Sequence, residues 1–373
     1  MVSLRTRYGG LVRKGAIALV LAGVLTGCQT LPQPAPCRDA SGIHAFYYTW
    51  YGNPKNDGHW RHWNHNVILR EGGGQAYTPP EDIGANFYPA NGLYSSSNPA
   101  DLRIHMTQMK DAGVGVAAVT WWGPGDYTDE VLPKVFDAAA AQGIQVCFHI
   151  EPFPGRTAAA TRNALVYLLD RYGAHPALYR YRGRPLAYIY DSYLVPAKEW
   201  ATILAPEGVN TIRGTAYDTV MIGLWVKKGD GRFMEKGHFD GFYTYFTPDG
   251  FTYGATPANW PVLAQWAQEH GQLFIPSVGP GYDDTRIRPW NTVNQRAREN
   301  GAYYDRLFAA ALAVDPAIIS ITSFNEWHEG TQIEPAMPKS IEGYTYLDYE
   351  DRAPAWYLER SRYWAERWQK DLP

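Results

Sequence analysis

The stretch ITSFNEWHEGTQIEP, residues 321–335, crowds Glu326, Glu329 and Glu334 into the end of an apolar run. Glu326 and Glu329 stand three residues apart around Trp327. Two neighbouring carboxyls suit proton transfer, one kept protonated as an acid and the other ionised as a base. An apolar setting and mutual repulsion both raise a carboxyl pKa, and this stretch offers both. An isolated glutamate here would more simply cap a helix or pair with an arginine. Two of them beside Asn325, at the end of a buried run, argue for chemistry. Glu334 lies further on, before Pro335, and reads as structural or peripheral. A further carboxyl, Glu151 in FHIEP, is left at a strand end by the proline after it. It would bind polar groups of a substrate or serve as the acid in a rival assignment.

Elements must exist to hold these groups. Eight short apolar, β-branched or aromatic runs recur along the chain, at 43–50, 114–122, 144–151, 185–191, 219–226, 240–246, 273–282 and 318–326. Between them lie helical patterns such as DLRIHMTQMKDAG, DEVLPKVFDAAAAQG and NWPVLAQWAQEHG, closed by glycine. Near-continuous apolar strands alternating with helices predict an α/β fold with a parallel sheet covered outside. Eight such units predict a closed (β/α)8 TIM barrel over residues 43–373, whose chemistry belongs at the C-terminal ends of the strands. No glycine-rich dinucleotide fingerprint follows the first run, which disfavours an open doubly wound sheet. The run ends carry Tyr48 and Trp50, Trp121 and Trp122, His149 and Glu151, Tyr190 and Asp191, Tyr243 and Tyr245, Tyr282 and Asp283, then Asn325, Glu326 and Glu329. Only the fifth ends blandly, at Trp225 and Lys227.

Aromatics are the compositional anomaly, at 14% of the chain with 14 Trp and 27 Tyr. Their flat apolar faces and polar edges suit sugar rings as well as cores. Aromatic walls around a few carboxyls describe a sugar cleft, and glycosidic cleavage commonly uses two carboxyls flanking the bond. No G-x-S-x-G elbow supports a serine hydrolase. His59, His62 and His65 in GHWRHWNH do not share a helix face, so loop packing or substrate contact is expected there and no metal or cofactor.

The N-terminus is expected to lie outside this fold. Arg5, Arg7, Arg13 and Lys14 precede AIALVLAGVLTG, a secretory signal over residues 1–27 too short to span a membrane. Leu25-Thr26-Gly27-Cys28 resembles a bacterial lipobox, with Cys28 the lipidated residue. A Pro-rich tether over 28–42 would follow. Removing the signal takes the formal charge of −3 to about −7, which argues against nucleic acid as a partner. An exported lipoprotein of the cell envelope is expected, touching a membrane only through its lipid; Gln29 is compatible with outer-membrane sorting. Cys37 and Cys147 suggest neither a disulfide framework nor a zinc site.

The segments HAFYYTWYGNP, DIGANFYPANGLYSS, FHIEPFPGRT, YGAHPALYRY, YDSYL, FDGFYTYF, FIPSVGPGYDDTRIRPWN and ITSFNEWHEGTQIE resemble glycoside hydrolase family 99. That family contains eukaryotic Golgi endo-α-mannosidases and bacterial endo-α-1,2-mannanases, and the likeness runs from Ile43 to Arg367. It implies a (β/α)8 enzyme that cleaves within α-mannan or a high-mannose oligosaccharide and releases a disaccharide with retention. The substrate's own 2-hydroxyl would attack, giving a 1,2-anhydro sugar, with Glu326 as base and Glu329 as acid and then base. Tyr48, His149, Glu151, Tyr190 and Tyr245 fall where the family lines the pocket of the reacting mannose, and Trp290 and Asn291 towards the reducing end. Asn325, in the FNE of the same motif, is counted with the binding residues. Trp122 resembles the bacterial form, which favours mannose over glucose in the neighbouring sugar. Release of glucosylmannose from high-mannose N-glycans is the alternative of the same chemistry. A non-catalytic glycan-binding lipoprotein is the alternative of another class, disfavoured because both glutamates are present.

Overall fold

The computed structural model describes residues 38–370. The expected signal and Cys28 lie outside the described residues, as does the first part of the tether expected over 28–42. The last part of that stretch is folded: Ala40–Gly42 forms a 3-10 turn, capped by Asp39, whose carboxylate accepts from the Ser41 amide at 2.8 Å. Gly42 is required there. A Cβ at this position would lie 2.0 Å from the Trp368 ring of the C-terminal helix Trp356–Gln369.

The eight apolar runs all become parallel strands: β1 Ile43–Tyr47, β2 Val116–Trp121, β3 Gln145–Ile150, β4 Arg184–Ile189, β5 Val220–Leu224, β6 Gly241–Tyr243, β7 Leu273–Ile275, β8 Ser277–Val278 and β9 Ile319–Ile321. The sheet order is β8-β9-β1-β2-β3-β4-β5-β6-β7. The seventh run supplies both ends of that order because Pro276 divides it. Proline has no N–H for the ladder, so β7 bonds β6 on one side and β8 bonds β9 on the other. Hydroxyls take over at the break: the Ser277 amide donates to Thr244 Oγ1 at 2.9 Å, and Ser277 Oγ accepts from the Tyr245 amide at 2.7 Å. The result is a closed eight-fold barrel.

Helices cover its outside. Pro99–Asp111 and Tyr127–Gln142 begin at Asn98 and Asp126, whose side chains accept backbone N–H groups left over in the first turn. The second ends at Gly143, in the left-handed conformation at φ 75°, as its sequence predicts. Among the described residues no helix is long and apolar enough to cross a membrane.

Aromatic rings fill much of the barrel. Phe46 packs on His149, Tyr188, Tyr243 and Tyr245 with ring centres 4.6–5.6 Å apart. Each buried ring contributes roughly 1.5–3 kcal/mol, provided its polar atom finds a partner. Tyr188 OH pairs with His44 at 2.8 Å and Tyr243 OH with His149 at 3.0 Å. Trp63, Trp121, Trp200, Trp260, Trp327 and Trp368 are also fully buried. Much of the aromatic surplus therefore builds the core, and only part of it lines the mouth.

Candidate active site

The residues after β9 form the centre of the barrel mouth. The Ser323 amide bonds to the Thr331 carbonyl, and the Phe324 amide to that of Phe46, closing a tight loop on the first strand. Within it Trp327–Glu329 is a 3-10 turn. Such a turn has three residues per revolution and eclipses positions i and i+3, so Glu326, its N-cap, and Glu329, its last residue, fall on one side. Glu326 Oε1 accepts from the His328 amide at 3.1 Å, and the Glu326 amide donates to Ser323 Oγ at 2.7 Å. Gly330 ends the turn at φ 62°.

Both carboxyls are pushed well above the ordinary carboxylate range. Burial is the largest cause for each. For Glu329 the neighbouring Glu326 comes next, against the pull of Arg288; for Glu326 hydrogen bonds from the turn and Arg288 oppose the rise, and Glu151 adds to it. Glu326 is 4% exposed, whereas the Glu329 side chain keeps 22% of its surface open at the mouth. A deeper carboxyl and a more open one, electrostatically coupled, share protons as a pair.

Strand ends wall the pair. Glu151 is held beyond β3 by the Thr120 hydroxyl at 2.7 Å and by His149 Nδ1 at 3.1 Å. His149 stacks on Tyr245, and Tyr190 meets both edge-on. Tyr48 OH and Tyr245 OH share a hydrogen bond. All three tyrosines have their phenol pKa raised well above normal, first by burial, with Glu329 acting on each as well, so they stay neutral donors. Beside them lies a pocket of about 460 Å³, lined by Trp50, Trp60, Arg61, His62 and Trp122 among others. Trp50 stacks on His62 at 4.0 Å and lies 6.5 Å from Trp122.

The model of the family described as glycosyl hydrolase family 99 matches residues 40–370. The chain belongs to glycosyl hydrolase family 99. It is a glycoside hydrolase with a TIM barrel. Similar proteins include the glycoprotein endo-alpha-1,2-mannosidase of Rattus norvegicus, 46% identical over 347 residues, which are 88% of this chain and 75% of the relative. A glycoprotein endo-alpha-1,2-mannosidase-like protein of Homo sapiens is 45% identical over 91% of this chain and 79% of its own. Among solved structures, the GH99 endo-alpha-mannosidase from Bacteroides thetaiotaomicron superposes with a TM-score of 0.87 at 49% identity, covering 89% of this chain and 99% of that one.

Against this family frame, Tyr48, His149, Glu151, Tyr190, Tyr245, Glu326 and Glu329 are brought together, with Trp122 at one side. Three other expected binding residues make contacts within the protein. Asn325 is fully buried: its Oδ1 accepts from the Tyr48 amide at 2.7 Å, and its Nδ2 donates to the Tyr48 carbonyl and to Tyr94 OH. It fastens β1 to the turn and has no atom left for a sugar. Asn291 donates to both oxygens of Asp284 at 3.0 Å and accepts from Asn294. Trp290 is 39% exposed at the rim, its indole N–H bonded to the Ile68 carbonyl at 2.8 Å.

Behind the turn, His62 and His65 pack as the sequence allows, whereas His328, Asp284 and Arg288 are groups that sequence reasoning missed. His62, His65 and His328 cluster with ring centres 4.6–5.3 Å apart, all with lowered pKa because burial opposes their charge. They are neutral packing rings. Arg288, inside RIRPWN, comes within 3.8 Å of Glu329, and Asp284, the residue after Tyr282-Asp283, bonds Arg288 at 3.0 Å. Their charges were the available signal.

Proposed function

We propose that the protein is a retaining endo-α-1,2-mannanase, an endo-acting α-mannoside hydrolase that frees a disaccharide from α-mannan. The observation that carries it is the coupled pair Glu326–Glu329 on one turn at the mouth of a family 99 barrel. Glu326, the deeper group, takes the proton from the 2-hydroxyl of the reacting mannose. That oxygen attacks the anomeric carbon from the face opposite the α-linked leaving group, closing a 1,2-anhydro ring, while Glu329 protonates the departing oxygen. Glu329, now a carboxylate, draws a proton from water; the water oxygen opens the ring at the anomeric carbon, and the proton held by Glu326 returns to the 2-oxygen. Each carboxyl ends as it began, and the α-configuration is kept. Tyr48 and Tyr245 hold the sugar as fixed neutral donors, which in a dry site need no reorganisation as charge develops, and Glu151 accepts from its hydroxyls.

Mannose in the neighbouring subsite is favoured by Trp122. Its indole lies beside that of Trp50, and its N–H is buried with no hydrogen-bond partner among the described residues, so it presents an apolar wall. The same chemistry on a glucose-capped high-mannose glycan is the second reading, favoured by the likeness to the animal mannosidases. Sizing the products separates them. With α-1,2-branched mannan and a glucose-capped oligomannoside as substrates, mannobiose is expected to appear faster than glucosylmannose. Trp122→Tyr is expected to narrow that preference by about tenfold, the scale of one pocket side chain. Glucosylmannose first would overturn the mannanase reading, and free mannose the endo-acting one.

The lipobox-like residues 25–28 support a proposal that the enzyme is a lipoprotein of the cell envelope, where it would meet extracellular polysaccharide. Cys28→Ser is expected to move it from the detergent to the aqueous phase; an unchanged distribution counts against lipidation.

A further inference from the structure

Arg288 stands between two acids and is shared unequally. Its Nη1 donates to Asp284 Oδ2 at 3.0 Å and lies 3.8 Å from Glu329 Oε1. Asp284 is fully buried. Tyr282 OH donates to it at 2.9 Å and Asn291 Nδ2 to both its oxygens. Every bond it makes is an accepted one, which is the pattern of an ionised carboxylate. The backbone fixes the spacing: the Asp283 amide donates to the Glu329 carbonyl at 2.8 Å, so this loop and the Glu329 turn cannot drift apart. The cation is therefore tethered within Coulomb range of Glu329 but short of a full hydrogen bond.

We propose that Asp284 and Arg288 are positioning residues, with Asp284 holding the Arg288 guanidinium back from Glu329 so that Glu329 keeps its proton until the leaving oxygen needs it. The inference rests on reading Glu329 as the proton donor. At 3.8 Å Arg288 already pulls towards the ionised form, and a closed, hydrogen-bonded Arg–Glu pair would strengthen that pull until the proton was lost before reaction. The loose arrangement leaves Glu329 an acid in the free enzyme and still steadies the carboxylate formed when the proton leaves.

Other charges at this point do not replace Arg288. Glu326, Glu151 and Asp284 all act to keep Glu329 protonated. The phenols of Tyr48, Tyr190, Tyr245 and Tyr282 face Glu329 from their strand ends and are neutral. His65 and His328 face Arg288, and their lowered pKa leaves them uncharged. Asp284 is the group that restrains the cation.

The test is the pH profile of kcat/KM on α-mannan, whose alkaline limb reports loss of the donor proton. In Arg288→Gln the limb is expected to move up by about one pH unit, and in Asp284→Asn, where Arg288 is free to close on Glu329, down by a similar amount. With a mannobiosyl α-fluoride, whose leaving group needs no proton, neither substitution should move it. Limbs that stay put while rates fall at every pH would mean a structural role and overturn the proposal, as would movement in the same direction. Should Asp284→Asn not fold, Arg288→Gln decides alone by its direction. Glu329→Gln separates the two levels. If it turns over α-mannan normally, the donor reading falls; if it is inactive and the limbs are unmoved, only the present inference falls.

Discussion

Glu329→Gln is expected to bind oligomannoside close to normally and to turn it over at least about 10²-fold more slowly, the lower range for losing a positioned acid. The amide keeps the shape and cannot give a proton to the leaving oxygen. A substrate with a fluoride leaving group should recover much of the first step, because that step no longer needs the acid. Glu326→Gln is expected to lose activity on both substrates, since the 2-hydroxyl must still be deprotonated. Steady-state kinetics and calorimetric binding check these outcomes, and near-normal turnover of α-mannan would remove Glu329 from its role. The same substitution bears on stability. A carboxyl raised by folding binds its proton more tightly in the native state, so its ionisation opposes folding as pH climbs from the ordinary carboxylate range through the raised value. Glu329→Gln should therefore melt higher than the parent at mildly alkaline pH, with the difference shrinking in acid. Loss of activity with a gain in stability marks a site where function is kept at the expense of the fold.

Glu334→Ala is expected to cost about 3 kcal/mol or more and to depress turnover as well. Glu334 Oε2 accepts from Tyr94 OH at 2.9 Å and from the Trp327 indole at 3.0 Å, and Oε1 lies 3.3 Å from His105 Nε2. All four residues are buried. Removing the carboxyl orphans the buried Tyr94 hydroxyl, leaves the Trp327 indole with only Tyr94 OH at 3.1 Å, and takes away the partner of buried His105. That loss is on the scale of about 3 kcal/mol for breaking a buried pair. Trp327 is the middle of the turn that carries Glu326 and Glu329, so its loosening reaches both carboxyls. A lower midpoint in chemical denaturation together with a lower kcat checks this. Glu334→Gln keeps an acceptor oxygen and should retain most of the stability. Equal loss in both variants would show that the hydrogen bonds to the carboxyl are not what holds the turn.

The fate of individual residues shows where sequence reasoning ends. Glu334 was legible as structural from its distance to the strand end. Glu326 and Glu329 were legible as a pair because a three-residue spacing around a tryptophan is a local property of one turn. Asn325 and Asn291 stand among the expected substrate contacts, and in the fold one bonds Tyr48 across 277 positions of chain while the other bonds Asp284. Their neighbours in sequence do face the mouth. Which of two adjacent side chains does so depends on pleat and loop path, and a one-residue change reverses it. Composition misled in the same way: the aromatic share suited a sugar cleft, but most of the rings named here pack the barrel.

By itself the sequence determined the strand and helix alternation, the barrel, the family and the turn bearing two acids, because periodicity, capping and short motifs are written in neighbouring residues. Only the tertiary structure decided that Pro276 splits a strand to close the sheet. It also decided which polar residues are spent on locking the scaffold, and that Arg288 stops short of Glu329. Those outcomes follow from contacts between residues far apart in the chain, where burial, hydrogen-bond partners and charge separation are set by packing.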